Sequence, residues 1–119
     1  MFAKSRQDPQ IAAKTLDLER IAAERDALAR QHVQELEDML AERDTMARQI
    51  RRLDEEWLPL AQERVELSLA GYRSGREPLL GALEARKNLV ETRMKRIDLE
   101  FQRSAVDARL HYLNGEDRP

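Results

Sequence analysis

The chain has 119 residues, 21 Lys and Arg against 23 Asp and Glu, and a formal net charge of −2 at pH 7. Charged residues make up 37% and aromatic residues only 4%, the profile of a long helix or coiled coil, while a 41% hydrophobic share argues against a disordered chain. Interspersed charge excludes a basic nucleic-acid face or a polybasic membrane patch, the lack of cysteine excludes disulfides and thiolate metal sites, and neither a signal peptide nor an apolar run long enough to span a bilayer is read.

Residues 1–8 read as a lead-in. Asp8-Pro9 carries helix-start chemistry, since Asp accepts from orphan N–H groups and Pro at the first helical position loses nothing. A first helix is predicted over residues 9–72, with no glycine before Gly71 and one internal proline, Pro59. Unbroken, it would run roughly 95 Å at about 1.5 Å per residue. Pro59 removes one backbone donor and crowds the turn before it, so a kink or short break is expected near Glu55–Leu58, with the kink of the long helix placed near 57–59. Val33, Leu36, Leu40, Ala47 and Ile50 mark an apolar seam that Arg43 interrupts. Ile50, Leu53, Trp57 and Leu60 continue it in coiled-coil steps of three and four. Asp26/Arg30 and Asp44/Arg48 add acid-before-base pairs four apart.

Three of the four glycines fall within Gly71–Ala85. Gly75 is the expected stop of the first helix and Pro78 the start of the second, leaving residues 73–77 as a polar hairpin tip. The second helix is predicted over 78–114, with Gly115 as a left-handed cap and 115–119 as a frayed tail. It carries two apolar stripes. One is Leu83, Val90, Met94, Ile97, Phe101, Ala105, Ala108 and Tyr112; the other is Leu89, Leu99, Val106, Leu110 and Leu113. A helix with a single partner needs one stripe, so neighbours on both flanks are expected. The arms are also unequal: the second, roughly 55 Å long, would cover the first back to about Leu36, leaving Ile11–Val33 without a partner in the chain. These elements predict an all-α fold, one long antiparallel coiled-coil-like helical hairpin that belongs in a larger assembly.

Tyr72-Arg73-Ser74-Gly75, followed by Leu79-Leu80-Gly81-Ala82-Leu83-Glu84-Ala85-Arg86, resembles the tip signature of TolC-like outer-membrane efflux proteins. Leu110-His111-Tyr112-Leu113-Asn114-Gly115 is similar to that family's closing pattern. Arg6-Gln7-Asp8-Pro9 resembles the approach to the last long helix in its heavy-metal efflux branch, the CzcC and CusC type. The resemblance covers nearly the whole chain and corresponds to the family's last periplasmic hairpin. It implies a fragment of an α-helical tunnel, cut from a trimeric channel whose parent protein sits in the outer membrane and periplasm. The fragment itself is expected to be soluble. The implied partners are copies of the same protein, a periplasmic adaptor and an inner-membrane pump, with no nucleic acid. The implied cargo is divalent metal cations or other toxic small molecules.

The resemblance also assigns residues. Tyr72, Arg73, Ser74, Gly75, Arg76 and Glu77 form the adaptor-contact tip, against the plainer reading of a solvated turn. Glu84 matches an acidic position at the tunnel entrance, where a threefold ring of carboxylates would favour cations; an ordinary solvated helix carboxylate fits the same residue. Gly81 falls where some members place a second acidic residue, which argues against a tightly closed acidic gate. Tyr72 either anchors the entrance through its hydroxyl or packs across the turn. Trp57 reads as a core or interface side chain beside Pro59.

His32 and His111 lack a second ligand at helical spacing, so no metal site is expected. A loose grouping of His111, Glu116 and Asp117 is less favoured than a frayed end. No nucleophile–base pair, phosphate loop or cofactor motif is present, so neither an enzyme nor a cofactor is expected. Two other readings stand beside the channel: a coiled-coil scaffold or interaction module, and the helical hairpin of a periplasmic adaptor.

Overall fold

The computed structural model describes the backbone of residues 2–116 and the side chains of residues 8–115. Helix α1 spans Phe2–Arg52, a single π-helical turn spans Leu53–Trp57, α2 spans Leu58–Arg73 and α3 spans Leu79–Glu116. The fold is all-α, a long helical hairpin without strands among the described residues. The chain divides into two units, one through residue 38 and one from residue 39 onward.

In the first unit α1 begins at Phe2, so the expected lead-in is helix from that residue and Pro9 lies inside it. Propensity on both sides carries the helix through one missing donor. Every side chain from Asp8 to Gln31 is exposed. Ile11, Leu16, Leu18 and Leu28 are each at least 60% exposed, so this stretch buries no apolar face of its own.

The second unit is the hairpin, and its core is one thin seam. The buried residues are Met46, Ile50, Leu53, Ala61, Ala82, Leu89 and Leu110. Beside Gly81, Glu100 and Asp107, which are partly covered at its flanks, the seam on α3 runs through Ala82, Ala85, Leu89, Thr92, Arg96, Leu99, Arg103, Val106, Leu110 and Leu113. They alternate in steps of three and four without a break, the spacing that keeps one stripe facing a partner helix. On the first arm Met39, Met46, Ile50 and Leu53 follow the same spacing. The next covered residue is Leu58, five on, and Ala61, Val65 and Ser68 then resume the pattern.

The five-residue step is the π-turn. Leu58 N–H donates to the Leu53 carbonyl, which inserts one residue into an otherwise regular helix. Pro59 gives the local reason. In a regular helix its ring would crowd the carbonyl of Glu55, and a wider turn over Leu53–Trp57 relieves that crowding. The flanking backbone stays helical (Arg52 φ −62°, ψ −40°; Leu58 φ −67°, ψ −46°), so the expected kink or break is a widened turn. The extra residue also corrects the expected seam. Trp57 and Leu60 are 49% and 50% exposed; Val33 and Leu40 are also exposed, but they precede the π-turn and owe nothing to it. Leu58 and Ala61 lie where Trp57 and Leu60 were expected, and Met46 is buried next to the expected Ala47, which is half-buried.

Two ion pairs tie the arms. Arg43 Nε lies 3.2 Å from Asp107 Oδ1, and Arg96 pairs with Asp54. Both arms advance eleven residues between these links, which defines one antiparallel register. It puts Ile50 within one residue of Leu99, Ala61 level with Leu89, and Ser68 level with Ala82. Of the two predicted α3 stripes, the one through Leu89, Leu99 and Leu110 lies in the seam. The other is turned outward, with Met94, Ile97, Phe101 and Tyr112 between 63% and 75% exposed.

The ends differ from expectation by small amounts. Pro78 precedes α3, which begins at Leu79, and α3 runs through Gly115 to Glu116. Gly75 is the one described residue with a positive φ, at 75°, so Gly115 is not a left-handed cap. The far ends of the expected lead-in and tail, residue 1 and residues 117–119, lie outside the described residues.

Candidate functional site

Two places combine unusual backbone with exposed side chains: the hairpin tip and the π-turn. At the tip, Arg73 ends α2 and Ser74 caps it. Gly75 N–H donates to the Tyr72 carbonyl at 3.1 Å and Arg76 N–H to the Gly71 carbonyl at 2.9 Å. Together these are the two bonds of a Schellman turn, whose left-handed position glycine fills without a Cβ clash. Glu77 N–H and Ser74 Oγ also donate to the Gly71 carbonyl, at 3.1 Å and 3.0 Å. A Cβ on Gly71 would stand 2.9 Å from Glu77 Cδ, so the Glu77 side chain crosses bare backbone there.

The tip is therefore a compact, hydrogen-bonded turn that presents Tyr72, Arg73, Ser74, Arg76 and Glu77 to solvent. We expect Gly75→Ala to lower the hairpin's stability by about 1 kcal/mol, the cost of holding an L-residue at φ 75°. A urea melt followed by helicity reads this directly; an unshifted midpoint would mean the turn rearranges freely.

Gly81 and Glu84 stand apart from that hydrogen-bonded network, in the first two turns of α3. Gly81 N–H donates to the Pro78 carbonyl at 3.2 Å, and a Cβ at Gly81 would meet nothing within 4 Å. Glu84, three residues on and so on the same side of the helix, is exposed. Among the described residues it makes no ion pair, and no cluster of His, Asp and Glu suited to a metal is formed.

The π-turn is the second place. Asp54, in that turn, accepts two hydrogen bonds from the Arg96 guanidinium, through Nε and, at 3.1 Å, Nη2. Arg96 Nη1 also donates to Glu100 Oε2 at 2.7 Å. The hydrogen bond from Arg96 holds the Asp54 carboxyl below its usual range. Asp54 and then Glu100 hold Arg96 more firmly protonated. Arg96 occupies a seam position, and its long stem carries the charge out to both carboxylates. Beside this clamp, Lys95 Nζ stands 5.5 Å from the Trp57 ring centroid, within cation–π range. An open groove continues from there, between Trp57, Leu60 and Arg64 on one arm and Asn88, Glu91 and Lys95 on the other.

Sequence reading missed this clamp. Asp54 and Arg96 are 42 residues apart, and only the register through the π-turn brings them together. The available signal was a charged residue interrupting an apolar stripe.

No protein-family model matches the chain, and neither does any curated protein or solved structure. The likeness to TolC-like proteins thus rests on the motif residues alone. No described helix is long and apolar enough to cross a membrane.

Proposed function

We propose that the chain is a wall segment of a larger α-helical assembly, specifically a periplasmic tunnel hairpin of a trimeric, TolC-like outer-membrane efflux channel. The observation that carries this reading is the outward stripe of α3. The hairpin satisfies one face of α3 through its seam, yet Leu83, Val90, Met94, Ile97 and Phe101 remain between 47% and 75% exposed on another. Exposed apolar surface on this scale is characteristic of an interaction surface. A tunnel wall, in which each helix touches neighbours on two flanks, would cover it. The compact polar tip suits a docking point for an adaptor, and the motif residues at Tyr72, Gly75 and Glu84 agree with the same family.

In this reading the protein is a passive conduit and no enzymatic role is assigned to it. The tips separate on contact with the adaptor, the inner-membrane pump supplies the energy, and Glu84 contributes an acidic ring that favours divalent metal cations. The test is single-channel recording on the full-length protein that carries this segment. The expected result is a trimeric pore whose preference for cations over anions falls in Glu84→Ala. A pore with unchanged selectivity would remove Glu84 from the entrance, and a protein forming no pore would overturn the channel.

A second reading, a self-standing coiled-coil interaction module, is favoured by one feature: the unbroken three-four spacing from Ala82 to Leu113. Under that reading the outward stripe binds a soluble partner and no pore forms.

A further inference from the structure

Three large apolar residues in and just before α2 are turned away from the seam. Trp57, Leu60 and Leu67 are 49%, 50% and 63% exposed, while Ala61 is buried at 5% and Ser68 is half-buried. The opposing stretch of α3 is also small: Ala82, Ala85 and Thr92 around a single Leu89. The seam side of α2 is covered through Leu58, Ala61, Val65, Ser68 and Leu69, while the larger Trp57 and both Leu60 and Leu67 lie outside.

The π-turn is the cause, because its extra residue turns everything after it by about 100° about the helix axis. Without that residue, the spacing running from Ile50 and Leu53 would continue through Trp57, Leu60, Arg64 and Leu67. Those residues would come opposite the α3 seam positions Thr92, Leu89, Ala85 and Ala82, one residue from the levels the two ion pairs give. Trp57 would then face Thr92 and Leu67 face Ala82, large against small, while Leu60 meets Leu89 and Arg64 meets Ala85. The chain thus carries two seams on one helix, offset by a single residue, the second interrupted by Arg64.

We propose that α2 is a two-register device. The extra residue held in the π-turn passes along α2 into the tip, and α2 turns by one position against α3. The crowding of the Glu55 carbonyl by Pro59 that then returns is offset by burial of Trp57, Leu60 and Leu67. In the described register Trp57 and Leu60 face outward and Lys95 covers the Trp57 ring. In the other register they enter the seam, Leu58, Ala61 and Val65 turn outward, and the surface beside the tip changes. Asp54 and Arg96 lie on the arm-root side of the slip and keep the rest of the hairpin in place. The tip side is prepared for an extra residue, since its turn closes on Gly71 and Gly75. A partner that covers the Trp57 face would hold the described register by binding it better than the other. This inference goes beyond the channel reading and does not depend on it.

The chain has one tryptophan and no cysteine, so both registers can be read cleanly. Ala61→Glu puts a carboxylate into the described seam but onto the surface in the slipped one. We expect this variant to keep its helicity while Trp57 emission shifts to the blue and acrylamide quenching falls at least threefold. Loss of helicity without the blue shift would overturn the proposal, because it would leave no second seam to adopt.

Engineered cysteine pairs give an independent readout in the otherwise native chain, oxidised at high dilution. Ala61→Cys with Leu89→Cys reports the described register, and Leu60→Cys with Leu89→Cys reports the slipped one. Both pairs should close within the molecule. Deleting Glu55 removes the extra residue and should cut closure of the second pair at least tenfold while sparing the first. A second pair that fails to close in the full-length chain, or that closes equally with Glu55 deleted, would contradict the device.

Discussion

Leu53→Ala should lower the hairpin's stability by about 2–5 kcal/mol, whereas Leu60→Ala should lower it by less than about 1 kcal/mol. The chemistry removed is the same in both. What differs is the surroundings: Leu53 is 4% exposed at the start of the π-turn, and Leu60 is 50% exposed beyond it. Leucine and alanine are both good helix formers, so propensity does not blur the comparison. Leu53 also sits level with Arg96, whose stem packs in the seam while its head binds Asp54. Removing the leucine therefore leaves a gap beside the clamp. Paired urea melts in the same buffer read the difference. Equal losses would mean that Leu60 shares the seam and that the extra residue of the π-turn is not there.

Leu89→Asp should have the larger effect, a loss of at least about 3 kcal/mol at neutral pH. Leu89 is 7% exposed, level with Ala61, and no basic side chain occupies a seam position on α2. A carboxylate there gives up its water without gaining a partner, and burial raises its pKa in the folded state. Acidification through that raised pKa neutralises the group in the fold, so part of the lost stability should return as pH falls. With only seven buried side chains among the described residues, the hairpin has little reserve, and a few kcal/mol is a large share of any small domain's stability. Helicity that stays high at pH 7 in this variant would place Leu89 outside the seam.

These two substitutions also mark where sequence reasoning succeeds and where it stops. The hairpin was legible because its turn depends on local chemistry. A left-handed position needs glycine, and Gly75 takes φ 75°. Both stripes of α3 were legible because its spacing is unbroken over more than thirty residues. The first arm was harder. Trp57 and Leu60 are large and continue the upstream spacing, so periodicity places them in the seam, but periodicity assumes a constant number of residues per turn. Pro59 signalled a disturbance near the right place without revealing that it adds one residue to the helix. Met46 and Ala61 were passed over because a flexible thioether and a methyl group are weak markers of a core.

The ends of the helices were misjudged for a related reason. Asp8-Pro9 and Gly115 carry boundary chemistry, yet α1 and α3 run through both. Around them Ala, Leu, Glu, Arg and Gln favour continuing the helix more than single residues favour stopping it. At the candidate site, the tip residues were legible from turn chemistry. The Asp54–Arg96 clamp was not, because a contact between residues 42 apart exists only once the register is known.

The functional proposal and the two-register device both require the arms to lie antiparallel within one molecule. The most direct measurement is the distance between spin labels at Arg51 and Asp98, two exposed positions on opposite arms that the register makes level, in labelled chain diluted with an excess of unlabelled chain. Packed helix axes lie about 8–10 Å apart, so a label pair separated by less than about 25 Å, unchanged on dilution, is the expected result. A much longer separation, or a short one that dilution abolishes, would mean that the arms open or pair between chains, and would contradict the hairpin itself.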